Sequence, residues 1–251
     1  MGNNSRAADE LRPIKITRQF TKTPAGSVLW QQGETIVLCT ASITQDVPPW
    51  FKPDAPGGWV TAEYVMLPAS TPQRKQWPKI GHTDSRGTEI QRLIGRTLRA
   101  ILDLTKIGPH TIAVDCQVLQ ADGGTRTAAI CGAYVALVDA IAKLPSQMPV
   151  TARPVDPSFY DPAHALTSQL AAVSVGIIEG DIKLDLDYKL DSRAEVDMNV
   201  AYTADGKFVE LQGSAENAGG GFDRNAMNKM LDLAVRGCEE LMKIQRDALA
   251  K

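Results

Sequence analysis

Apolar positions along the chain follow two rhythms. Ile14 to Phe20 (IKITRQF) alternate loosely, and two further extended runs, GSVLWQQ and TIVLCTASI, meet at Gly33-Glu34. Alternation with β-branched residues predicts strands, and the glycine dipeptide predicts a hairpin. GWVTAEYVML is a fourth run, and the short early connections predict sequential antiparallel strands. The period then changes. Ile90, Leu93, Ile94, Leu98, Ile101 and Leu102 recur at helical spacing, which predicts an amphipathic helix from about Thr88 to Leu104. Between strand and helix, residues 68–87 form a loop longer than ordinary connections, a length that marks function or disorder.

The stretch Thr111–Leu144 organises the rest. It reads TIAVDCQVLQ, then ADGG, then TRTAAICGAYVALVDAIAKL. A buried strand, a tight turn at Asp122-Gly123-Gly124 and an Ala/Leu-rich helix follow from this pattern. A glycine turn opening a helix lets free backbone N–H groups converge, and the helix dipole adds positive charge there. Arg126, in the first turn, opposes that dipole. A bound anion would account for it; so would a plain connection whose arginine faces water. Neither a P-loop lysine nor a G-x-G-x-x-G fingerprint is present.

Pro145, Pro149, Pro154, Pro157 and Pro162 mark a crossover. Strands then return as AAVSVGII, IKLDLDY, VDMNVAYT and KFVELQG, with turns at Glu179-Gly180-Asp181 and Ala204-Asp205-Gly206. A last helix starts at the N-cap Asp223, with Met227, Met230, Leu231, Ala234, Val235, Cys238, Leu241 and Met242 on its core face. The pattern predicts an α+β fold of two pseudo-repeated sheet-plus-helix halves around a shared core. Residues 1–144 form the first half, 145–170 the crossover and 171–251 the second half.

Composition narrows the partners. A net charge of −2 over 251 residues gives no global field toward nucleic acid or membrane, so a polyanion site must be a local basic patch. The sequence has no apolar run long enough to span a bilayer, and no membrane partner is expected. The N-terminal MGNNSRAADELRP lacks a signal peptide's apolar stretch, and Arg6 stands where a myristoylation signal needs Ser or Thr. Residues 1–11 are expected to be frayed or bound at an interface. Cys39, Cys116, Cys131 and Cys238 read as core residues of a cytoplasmic protein, and His82, His110 and His164 have no ligand spacing.

Two clusters carry candidate chemistry. Arg92, Arg96 and Arg99 share a helix face; they form a solvated stripe with Glu89 beside Arg92, or a track for a phosphodiester backbone. Asp185, Asp187, Asp191, Glu195 and Asp197 crowd residues 184–199, where a hairpin would bring Asp191 toward Asp197. Such acids either serve turns or hold a hard divalent cation.

The motifs VLCTAS, GWVTAEYVMLPAS, EIQRLIGRTLRA, VDCQVLQADGGTRTAA, DSRAEVDMNV and VELQGSAE together resemble the ribonuclease PH family over nearly the whole chain. The resemblance implies the RNase PH fold, with ribosomal protein S5 domain 2-like halves. It implies a phosphorolytic 3′→5′ exoribonuclease that trims tRNA precursors and other RNA 3′ ends, releases nucleoside diphosphates and runs in reverse. Gly124, Thr125 and Arg126, with Arg86, would bind the co-substrate phosphate. Asp191 and Asp197 would be catalytic and hold Mg²⁺ or Mn²⁺, with Asp197 assigned the proton for the leaving 3′-oxygen. The implied assembly is a homohexamer, a trimer of dimers. A catalytically weak RNA-binding subunit of an exosome-like ring is the alternative. Ala69, Gly87 and Leu190 depart from the usual pattern and bear on RNA contacts, assembly and the surroundings of the metal.

Overall fold

The structure is a computed structural model that describes residues 6–51, 57–76, 84–147, 161–215 and 221–251. Strand β1 (Ile14–Arg18) pairs antiparallel with β2 (Gly26–Gln32), and β2 with β3 (Thr35–Thr44) across the expected turn at Gly33. Val37, Cys39 and Ala41 of β3 are buried while the residues between them are half-buried, the signature of a sheet with one face on the core.

The next strand departs from the expected meander. β4 (Trp59–Met66) runs parallel to β5 (Thr111–Gln120), and β5 lies between β3 and β4, giving the order β1-β2-β3-β5-β4. A parallel pair needs a long crossover, and helix α1 (Ser85–Arg99) supplies it. This helix starts at Ser85 rather than Thr88 because the Asp84 carboxylate accepts the Gly87 N–H at 3.0 Å. It ends at Arg99, and Ile101 and Leu102 are buried beyond its last turn.

Helix α2 (Thr125–Lys143) is buried on nearly every side. It packs on β2, β3 and β5 and also on β6 (Leu170–Ile178), so it lies between the two sheets. Among the described residues it is the helix long and apolar enough to cross a membrane, but 78% of that window is buried inside the fold. Its apolarity is that of a core helix.

The second sheet holds β6, β7 (Asp181–Leu184), β8 (Val196–Thr203) and β9 (Phe208–Ala215) in the antiparallel order β7-β6-β8-β9. The IKLDLDY strand is shorter than expected. Asp185 adopts φ +54 and breaks the extended run, and Asp187 caps a one-turn helix α3 (Tyr188–Asp191) by accepting the Leu190 N–H at 2.9 Å. Helix α4 (Arg224–Leu249) is capped by Asp223 and packs on β6, β7 and β8. One apolar cluster runs through both sheets and includes Trp30, Val114, Leu137, Val173 and Leu241.

Residues 6–11 are not frayed. Leu11 is buried, and the Leu184 N–H donates to the Ala8 carbonyl at 2.7 Å. Residues 1–5, half of the proline-rich crossover (148–160) and the long loop's 77–83 lie outside the described residues. All four cysteines are buried, and burial pushes the Cys131 thiol up to about 12.

Candidate active site

The corner between β5 and α2 is built by its glycines. Gly123 (φ +73) and Gly124 (φ +62) both occupy the left-handed region. A side chain on Gly123 would stand 2.5 Å from the Asp187 carbonyl carbon, so the corner touches the root of α3 directly. Gly124 is the N-cap of α2 and offers no side-chain cap, which leaves the helix's first N–H groups for an external acceptor.

One cavity of about 860 Å³ gathers most of the predicted site. Gly124, Thr125 and Arg126 line it from α2, Arg86 from the first turn of α1, Asp191 from α3 and Asp197 from β8. The carboxylates do not meet across a hairpin, contrary to expectation. β7 and β8 are separated by β6, and Asp191 reaches the cavity from α3, which the positive φ at Asp185 and the Asp187 cap create. Asp197 and Asn199 share the half-buried face of β8, and both line the cavity.

Several neighbours orient these groups. Arg126 donates to the Gln212 side chain, whose amide in turn donates to Glu89 at 2.6 Å. That chain crosses from α2 through β9 to α1 and ties the halves together at the cavity's edge. Ser214 donates to Asp197 Oδ1 at 3.0 Å. Tyr64 donates its hydroxyl to Thr125 Oγ1 at 2.9 Å. Burial raises the Tyr64 phenol's pKa, while Thr125, Arg86 and Arg126 pull it back, so both guanidinium groups act on the same point. Tyr64 lies within GWVTAEYVMLPAS, and Gln212 and Ser214 lie within VELQGSAE, but neither motif by itself gave these side chains a role; period-2 placement opposite Asp197 and Asn199 on the neighbouring strand is the signal that points to Gln212 and Ser214.

The cavity's charge is the local patch that the overall composition required. Arg74 and Lys75 of the long loop join Arg86 and Arg126 on its lining, against Asp191 and Asp197. Among the described residues no group of three or more His, Cys, Asp or Glu is placed to hold a metal. An ion here would rest on the two carboxylates and water. That oxygen-only set fits Mg²⁺, which keeps several waters and takes one or two carboxylates.

The other candidates separate. Asp185 is fully buried against Arg12 and does not line the cavity. Arg96 pairs with Glu210 at 3.2 Å. Arg99 lies 4.6 Å from the Trp59 ring centre and donates to the Val60 carbonyl at 2.8 Å. Arg92 is exposed, and Glu89 accepts from Gln212. The three arginines are therefore not one uniform stripe. His110 and His164 bond Ile107 and Asp161, away from the cavity; His82 lies outside the described residues. Gly87 has a local reason: a side chain there would come 2.6 Å from the capping Asp84 carboxylate.

Fold and site together define a protein of the 3′ exoribonuclease type. Residues 10–143 match the model of domain 1 of the 3′ exoribonuclease family, and residues 168–237 match domain 2. Ribonuclease PH of Rhodococcus erythropolis is 53% identical over 249 residues, 99% of this chain and 90% of the relative. Ribonuclease PH of Nocardia farcinica is 52% identical over 248 residues, 98% of this chain and 91% of the relative. An Archaeoglobus fulgidus exosome solved with RNA bound to the active site has a similar fold, with a TM-score of 0.74 at 20% identity, covering 95% of this chain and 90% of that one. The chain belongs to the ribonuclease PH family.

Proposed function

We propose that the chain is a phosphate-dependent 3′→5′ exoribonuclease that trims tRNA precursors and other RNA 3′ ends in the cytoplasm. The observation that carries this reading is the single cavity holding an uncapped glycine corner, Arg86, Arg126, Asp191 and Asp197.

Orthophosphate binds at the corner, with Arg126 and Arg86 as charge-assisted donors. One of its oxygens attacks the phosphorus of the terminal phosphodiester. The new bond is a phosphoanhydride, and the bond from phosphorus to the preceding 3′-oxygen breaks. That oxygen takes the proton carried in by hydrogenphosphate, with Asp197 as the relay. The terminal nucleotide leaves as a 5′-diphosphate. Negative charge builds on the phosphoryl oxygens, where fixed guanidinium groups and backbone N–H groups stabilise it without reorganisation. Asp191 and Asp197 would hold Mg²⁺ or Mn²⁺; when bound, the ion adds Lewis-acid stabilisation to the reacting phosphoryl group. An ester is exchanged for an anhydride, so excess nucleoside diphosphate drives chain extension.

RNA incubated with and without inorganic phosphate tests the reaction class. Diphosphate products that appear only with phosphate support it; monophosphates released in its absence would refute it. The weak ring subunit is less favoured, because every predicted phosphate and carboxylate residue is present in one cavity. Assembly as a ring of three dimers is part of the proposal, and sedimentation at the mass of six chains tests it.

The arginines of α1 yield separable predictions. Arg92→Ala should weaken RNA binding more at low than at high salt, as loss of a phosphate contact does. Arg99→Ala should instead cost about 1–2 kcal/mol of stability through the lost ring and carbonyl contacts, read by denaturant unfolding. A salt-independent effect of Arg92→Ala would remove that residue from the RNA path.

A further inference from the structure

A buried cation outside the reaction scheme lies behind the glycine corner. The Arg12 side chain is 6% exposed, and its partner Asp185 is 0% exposed. Arg12 Nη1 donates to the Asp122 carbonyl at 2.6 Å, and Nη2 lies 3.5 Å from the Gly123 carbonyl. The same Nη2 donates to Asp185 Oδ1 at 2.6 Å, and the Arg12 backbone N–H donates to Oδ2 at 2.7 Å. Thr35 adds a hydroxyl to the Gly123 carbonyl at 2.7 Å. The corner's carbonyls are thus held on the side of β1's approach.

The far end of this contact reaches the acidic segment. Burial pushes the Asp185 carboxyl up, but the Arg12 hydrogen bond and charge, together with Gln32, outweigh it and hold the group below its ordinary value. Asp185 is followed by Leu186, whose N–H donates to Ser174 Oγ at 2.9 Å, then by the capping Asp187 and the helix that bears Asp191. One planar guanidinium therefore spans the phosphate corner and the root of α3. A buried ion pair is weak evidence of added stability, because desolvation offsets its attraction. Its rigid fork is better suited to fixing distances, and a point-like ammonium cannot span the same acceptors.

We propose that Arg12 is a positioning residue, which sets the spacing between phosphate held at the glycine corner and Asp191. The inference rests on the phosphate site proposed above. Arg12→Lys keeps the charge but loses the fork. It should fold cooperatively, raise KM for inorganic phosphate at least tenfold and lower kcat, with a misplacement of 1 Å worth on the order of 10²-fold. KM for RNA should stay within twofold. Arg18→Lys is the control: Arg18 pairs with Asp139 at 2.6 Å, and neither residue lines the cavity. That variant should lose stability and keep both KM values.

Wild-type kcat and phosphate KM in folded Arg12→Lys would overturn the proposal, leaving Arg12 a structural residue like Arg18. Should Arg12→Lys not fold, Asp185→Asn is measured the same way, and failure of both to fold also overturns it. Arg126→Ala separates the two readings. A raised phosphate KM there, with none in Arg12→Lys, removes only the positioning role; no change in Arg126→Ala removes the phosphate site itself.

Discussion

Arg126→Ala is expected to lower phosphorolytic turnover by about 10²–10³-fold, the loss typical of one preorganised charge-stabilising donor. The reason is geometric as well as electrostatic. Arg126 sits in the first turn of α2, where the dipole disfavours a cation, yet it faces the cavity and is held by Gln212. That bond fixes the guanidinium before phosphate arrives, so little reorganisation remains for the reaction itself. Removing it should raise KM for phosphate and lower kcat, since the same oxygens are contacted in the ground state and carry more charge in the transition state. Binding of RNA to the exposed arginine of α1 should be little altered. Steady-state kinetics with phosphate varied at saturating RNA provides the check. Wild-type kinetics in this variant would remove Arg126 from the site.

Asp197→Asn is the second large effect. The substitution keeps size and the capacity to accept from Ser214, so the fold should persist with an unchanged melting temperature. It removes the charge that a divalent cation needs from its carboxylate ligand. Activity should fall by at least about 10²-fold, beyond the 10–100-fold typical of losing only an outer partner of a metal ligand. The metal dependence of the residual rate should also weaken. Titration of Mg²⁺ against rate, with direct binding of Mn²⁺ measured alongside, checks both statements. An unchanged Mn²⁺ affinity would refute the ligand role even if the rate fell.

Much of this site was legible in the chain. The turn Asp122-Gly123-Gly124 between a strand and an apolar helix is a local device, so composition and period locate it directly. Most strands and helices followed from the same local rules, and Asp223 was readable as the cap of the last helix. The misreadings are equally specific. IKLDLDY alternates well enough for a longer strand, but Asp185 is drawn into a buried contact with Arg12, distant in sequence, and the backbone turns there. β4 carries no mark of its parallel partner, because strand order depends on where α1 returns the chain. The arginine face on α1 was visible as spacing, while the Trp59 ring and Glu210 that engage two of its members come from other elements.

By itself, the sequence determined most of the elements and which residues are candidates for chemistry: a glycine corner open to an anion, guanidinium groups, and acids able to take a hard cation. Backbone freedom, capping and hydrophobic period are short-range properties, and they need no partner. The tertiary structure alone decided which of these groups share a cavity. Asp191 and Asp197 face Arg86 and Arg126 because α2 packs between two sheets and brings its N-terminal corner against the root of α3. That convergence depends on long-range packing and on the buried Arg12–Asp185 contact, which no local pattern encodes.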